Sequence, residues 1–179
     1  MFKKLYILIF IFISSISFST SLNAQSDIAV IDVVTLLKDS KAAVSMRDQL
    51  NEIAKKYTEQ EKKKAGDIRK KEEELLRQKK TLTPEAFSDR KNAFEKNVIE
   101  FNKDRDAKRK ALSKAERDSI TKIEEVVEKV VQEIQKTDNI TIVVRKSAVI
   151  LSDPSIDITS KVVEALNKEI SSIDVKVTP

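Results

Sequence analysis

Between Lys41 and Thr137 the chain holds one glycine, Gly66, and one proline, Pro84, so little in that stretch interrupts a helix. Apolar residues recur through it at helical spacing. Ala43, Met46, Leu50, Ile53 and Tyr57 step by three, four, three and four, which sets them on one seam of coiled-coil type. The seam resumes at Ile68, Leu75 and Leu82, eleven and then seven residues apart, and its phase slips across Gln60, Glu61 and Lys64. An eleven-residue step relaxes left-handed supercoiling locally. Thr83-Pro84-Glu85 reads as a cap followed by a proline at the first helical position, where its missing N–H costs nothing. One helix therefore ends near Leu82 and a second begins, with the turn at 81–85. The second carries Phe87, Phe94, Val98 and Phe101, then, after a polar interval, Leu112, Ala115, Ile120, Ile123, Val127, Val130 and Ile134. Folding the chain back at Leu82 brings the polar gap at 58–67 near that at 102–111, so both helices lose their seam at mid-arm. Two helices of about 40 to 50 residues, at about 1.5 Å per residue, make an arm on the order of 60 to 75 Å long.

The flanks read differently. Ile28-Ala-Val-Ile-Asp-Val33 is a β-branched run suited to a buried strand, and Val34 to Lys38 suits a helical turn, with Asp39 or Ser40 as the cap of the long helix. Helical patterning stops at Thr137-Asp-Asn139. Ile140 to Arg145 and Ala148 to Leu151 then look like a β-hairpin. Asp153-Pro154-Ser155 is turn chemistry, and Asp157-Ile-Thr159 offers caps for a last short helix holding Val162, Val163, Leu166 and Ile170. The expected architecture is mainly α with a small β body. Residues 25–40 and 138–179 form a β-containing head, and residues 41–137 form a long antiparallel helical-hairpin, coiled-coil arm inserted into it. A head of about 60 residues is marginal as a single core, and a two-helix arm has no third layer. Oligomerisation through the head's strand edges answers both problems, with Ile28, Val30, Val33, Ile140, Ile142, Val144, Val149 and Leu151 as candidates.

Residues 1–24 read as a cleavable export signal: Lys3 and Lys4, the apolar run Leu5 to Ile13, and a small-residue stretch ending at Ala24. The run to Phe18 is interrupted by Ser14, Ser15 and Ser17 and falls short of the about 20 apolar residues that span a bilayer, which leaves a retained anchor as the alternative. Gln25 follows the cleavage point and the chain has no cysteine, so no lipid is attached there. The remaining 155 residues carry 32 basic and 29 acidic side chains and are expected to be soluble after export.

Composition also closes off chemistry. With neither histidine nor cysteine, a transition-metal site would need carboxylates alone and the usual nucleophile and base pairs cannot be assembled. One glycine excludes the Gly-rich phosphate loops, so neither an ATP-driven cycle nor a nucleotide cofactor is expected. A non-enzymatic binding protein remains.

The order of these pieces resembles the Skp/OmpH family of periplasmic chaperones. The resemblance covers essentially the whole chain after the signal and is most specific in Ile28-Ala-Val-Ile-Asp-Val33 and in Ala148-Val-Ile-Leu-Ser-Asp-Pro-Ser-Ile-Asp-Ile-Thr159. It implies a homotrimer whose β body carries three helical arms around a cavity. Such a trimer holds unfolded outer-membrane β-barrel proteins without nucleotide and keeps them from aggregating before membrane insertion. A structural or adaptor coiled coil of the cell envelope is the competing reading.

Charge agrees with the chaperone reading. Residues 41–137 hold 26 basic and 20 acidic side chains, and residues 55–112 alone hold 19 and 12, while the rest of the exported chain holds 6 and 9. A basic arm attracts acidic unfolded chains and anionic lipid or lipopolysaccharide headgroups, with salt weakening the attraction. DNA would also suit it, but an exported protein rarely meets nucleic acid. Lys62, Lys63, Lys64, Lys79, Lys80, Arg90 and Lys91 are the candidate contacts; the alternative is that alternating charges only solvate a long helix. Phe87, Phe94 and Phe101 are candidate apolar contacts that could instead pack on Ile68, Leu75 and Leu82. Leu76, one place off the seam, is the better candidate for exposure. Gly66 and the polar mid-arm mark either a soft point or an ordinary irregularity.

Overall fold

The computed structural model describes residues 28–178, so residues 1–24, expected above to be an export signal, lie outside the described residues. The chain runs β1 (Ile28–Ile31), α1 (Val33–Asp39), α2 (Lys41–Gln78), α3 (Pro84–Asp138), β2 (Ile142–Arg145) and α4 (Thr159–Glu169). Single 3-10 turns lie at Lys146–Ala148 and Pro154–Ile156.

The first three helices each start where a side-chain oxygen meets their free amides. Asp32 caps α1, its Oδ1 accepting from Val34 and Thr35 at 3.0 and 3.1 Å. Ser40, fully buried, closes α1 and opens α2, its Oγ accepting from Ala43 N–H. Arg47 turns back from α2 and donates to the last carbonyls of α1, Leu37 and Lys38, at 2.6 and 2.7 Å. Thr83 caps α3 with Pro84 in its first turn. That helix ends on Asn139, held in the left-handed region at φ 54°, a conformation asparagine tolerates better than most residues.

The two long helices are unequal, 38 residues in α2 and 55 in α3, and α2 stops at Gln78, four residues earlier than the seam suggests. At about 1.5 Å per residue they span roughly 57 and 82 Å. Partner positions fall along α3 as they rise along α2: Gln60 meets Lys108, Lys64 meets Asp104 and Gln78 meets Arg90. The two polar gaps thus face each other, and their side chains bond across the seam.

The sheet departs from expectation. β1 and β2 pair in parallel, Ile28 opposite Ile142 through Ile31 opposite Arg145, and α2 and α3 together form the long crossover that a parallel pair requires. There is no hairpin between 140–145 and 148–151. The chain curls into a 3-10 turn at Lys146, with Val149 N–H bonding Lys146 C=O, and 148–151 runs on without a strand partner. β-branched composition favours an extended backbone there, but a strand also needs a neighbour. The other side of β1 is met by Asp157, through the Val30–Asp157 bridge and the Ile158 N–H to Val30 C=O bond.

A polar knot ties these pieces. Asp157 accepts from Lys146 at 2.8 Å and from both the backbone N–H and the hydroxyl of Thr159, whose oxygen in turn accepts from Asp32 N–H at 2.8 Å. Lys146 first, then Thr159, hold the Asp157 carboxyl down at about 2. Beside the knot lies the core, built from Ile31, Leu36, Met46, Ile123, Val162 and Leu166 with their neighbours. It fills the head and the base of the arm. No residue of α2 beyond Met46 and none of α3 before Lys108 is fully buried.

Candidate functional site

The arm beyond that core is a two-helix seam exposed to solvent on its remaining faces. Phe87, Phe94 and Phe101 are half-buried, as are Ile68, Leu75 and Leu82. Phe101 and Ile68 line one shallow cleft between the helices, together with Lys64, Lys71, Asn97 and Asp104. These phenylalanines therefore divide their rings between the seam and solvent. Leu76 stands free of the seam at 62 % exposure, and Ile99, which the spacing argument passed over, is also exposed.

The basic candidates separate into two groups. Lys64 pairs with Asp104 at 2.6 Å, Lys91 lies 3.6 Å from Glu95 one turn on, and Arg90 donates to Gln78. Lys62, Lys63, Lys79 and Lys80 are exposed, and their ammonium groups have no ionic or hydrogen-bond partner among the described residues. The second group can meet a charged ligand at no cost to an internal bond.

At mid-arm one lysine is buried. Lys108, 8 % exposed, donates to Gln60 at 3.0 Å and to Asp104 at 3.2 Å, and its ammonium lies 5.1 Å from the centre of the Tyr57 ring. Lys64 and then Lys108 lower the Asp104 carboxyl below its usual range. The sequence marked this zone as a gap; the structure fills it with a charged lattice.

In the head, the proposed oligomerisation residues diverge. Ile28 and Ile142 face each other in register and are both about half exposed. Val33, Ile140, Val144 and Val149 are partly covered, with Val33 and Ile140 packed on the protomer's own core. Val30 is buried within the chain itself and offers no side-chain surface to another copy. Leu151 and its neighbour Ile150, the latter missed earlier, project wholly into solvent at 90 % and 105 %. An open groove lined by Ile31, Leu37, Val127, Val131, Val143 and Arg145 lies between the sheet and α3.

Among the described residues no cluster of three or more acidic side chains is placed to hold a metal ion, and no helix is long and apolar enough to cross a membrane.

Comparison with known proteins agrees with this geometry. The family model described as outer membrane protein (OmpH-like) matches residues 27–166. No curated protein matches. Among solved structures, a candidate outer membrane chaperone (OmpH-like) from Caulobacter crescentus CB15 superposes with a TM-score of 0.80 at 14 % identity, covering 86 % of this chain and 91 % of the other. At that identity the match establishes the fold, while the family match runs through β1 and both long helices as far as Leu166 in α4. The chain belongs to the OmpH-like outer membrane protein family.

Proposed function

We propose that the protein is a periplasmic holding chaperone that works without nucleotide and binds unfolded outer-membrane β-barrel proteins through its arms. The observation that carries this reading is the distal arm itself. Its apolar seam is half-buried, Leu76 and Ile99 are exposed, and unpaired lysines cluster at Lys62, Lys63, Lys79 and Lys80. Diffuse apolar contact and net positive charge suit a client with no fixed shape and give affinity without a shaped pocket. Family membership and the fold of the Caulobacter protein support the same reading.

In this account residues 41–137 form an antiparallel hairpin arm, residues 25–40 and 138–179 form the head, and residues 1–24 are an export signal removed near Ala24. Heads assemble into a trimer, and the arms enclose a cavity. The exposed Ile28–Ile142 pair and the Ala148–Leu151 segment, which has no strand partner, are the surfaces that a second copy covers, the latter by adding a strand. Anionic lipid or lipopolysaccharide headgroups bind the same arm lysines.

The test dilutes a urea-unfolded outer-membrane β-barrel protein into buffer with and without this protein, and follows light scattering and oligomeric mass together. Suppressed scattering without ATP, at about one trimer per client, is the expected outcome. A client that aggregates unchanged beside a well-folded oligomer would assign the protein to the structural or adaptor coiled coils instead.

A further inference from the structure

Beyond α4 the chain forms neither helix nor strand, and Ile173 and Val175 lie against the first turns of α2. Ile173 and Val175 are 7 % and 8 % exposed and join the cluster containing Ala42 and Met46, with Val177 packed partly against it. Asp174 and Lys176 between them face solvent. This is the period-two pattern of a strand with one buried face, yet no strand lies beside it.

Gln49 stands where the neighbouring strand would be. Its Nε2 donates to Ile173 C=O at 2.7 Å, and its Oε1 accepts from Val175 N–H at 3.2 Å. Ser45 Oγ accepts from the same Nε2 at 3.0 Å and steadies the amide. A primary amide carries a donor and an acceptor spaced much as in a peptide unit, so it pairs with backbone whatever the side chains are. The only side-chain requirement of this seat is an apolar residue at alternate positions. An outward-facing strand of a membrane β-barrel has that same alternation. Beside the occupied part, an open shallow groove continues along Lys41, Val44, Ser45, Asp48 and Glu52.

We propose that this seat at the base of the arm binds extended segments with alternating apolar and polar residues, and that residues 171–178 occupy it as a displaceable strap. The identity of the partner rests on the chaperone reading; the seat itself rests on Gln49 and the strap. The strap lowers the apparent affinity for an added segment by the fraction of time it is seated, and a bound segment releases it in return.

Hydrogen exchange of the purified full chain, with and without a urea-unfolded β-barrel protein, reads the displacement directly. Amides of 171–178, Val175 first among them, lose protection when client is held. Strap amides that keep their protection while client is held overturn the proposal. A second arm of the experiment uses a fluorescein-labelled peptide with the sequence of residues 171–178 against the full-chain double variant Ile173→Ser, Val175→Ser. Peptide binding on the order of tenfold tighter than to the parent is expected from the freed seat, and Gln49→Ala added to the pair removes that gain. A purely structural tail instead shows lower stability with no gain in peptide binding, which also overturns the proposal. If the parent holds no client at all, the chaperone reading fails, and the peptide result still decides the seat.

Discussion

The head and the distal arm are built from the same chain but under different rules. In the head and the base of the arm, Leu36, Ile123, Val162 and Leu166 are fully buried, and a knot of Asp32, Lys146, Asp157 and Thr159 fixes how β1, β2 and α4 meet. Past Met46 on α2 and before Lys108 on α3, no side chain reaches that state. There the helices touch along one seam, broken by the Lys64–Asp104–Lys108–Gln60 lattice. Stability is thus concentrated at one end of the molecule, and soft, half-wet surface at the other. A surface that must fit many unfolded chains needs the second property and depends on the first to hold it in place.

The largest expected contrast between the two regions comes from deleting apolar volume. Leu166→Ala in the head should cost about 2 to 5 kcal/mol, as cavities in closed cores do, whereas Leu75→Ala in the arm should cost well under half as much, because water reaches the site. Urea unfolding of both variants checks this. Equal losses would erase the distinction.

Next in size is the polar knot. Asp157→Asn removes the ion pair with Lys146 and should destabilise the head by about 1 to 2 kcal/mol at neutral pH. Because the Asp157 carboxyl titrates at about 2 when folded, against the usual 3.8, its contribution is full above 3.8 and is lost as pH falls through 2. The gap between parent and variant urea midpoints should therefore narrow between pH 4 and pH 2. A constant gap would mean that the charge plays no part.

Much of this division is legible in the sequence. Thr83-Pro84 marks the start of α3 correctly, Asn139 its end, and the facing polar gaps follow from folding the chain back near Leu82. The hairpin at 140–151 does not appear, since β-branched residues report that a segment is extended and not which segment lies beside it. The polar gap at 102–111 gives no sign that Lys108 is buried, because that burial depends on Tyr57 and Gln60, about fifty positions away. The arm candidates Leu76, Lys62, Lys63, Lys79 and Lys80 do lie on open surface, while the partners of Lys64 and Arg90 could be located only in three dimensions and that of Lys91, Glu95, stands one turn along the same helix. Gln49 left no signal, although the alternation at Ile173, Val175 and Val177 was there to be read.

Gly66→Ala sharpens the comparison from the arm side. A Cβ at that position meets nothing within 4 Å, so the substitution should stabilise the arm by about 0.5 to 1 kcal/mol and slow exchange of nearby amides while leaving the head unchanged. Faster exchange there would show that the glycine is structurally required. The smallest effect belongs to Lys91→Ala, which breaks an exposed pair with Glu95 and should shift stability by no more than about 0.5 kcal/mol in thermal melts.

The most direct test of the account maps where a client sits. Hydrogen exchange across the whole protein, alone and loaded with an unfolded outer-membrane β-barrel protein, should show new protection on both helices of the distal arm around Ile68–Leu76 and Phe87–Phe101, with the amides of β1, β2 and α4 unchanged. Protection confined to the head, with the arm exchanging as freely as before, would contradict it.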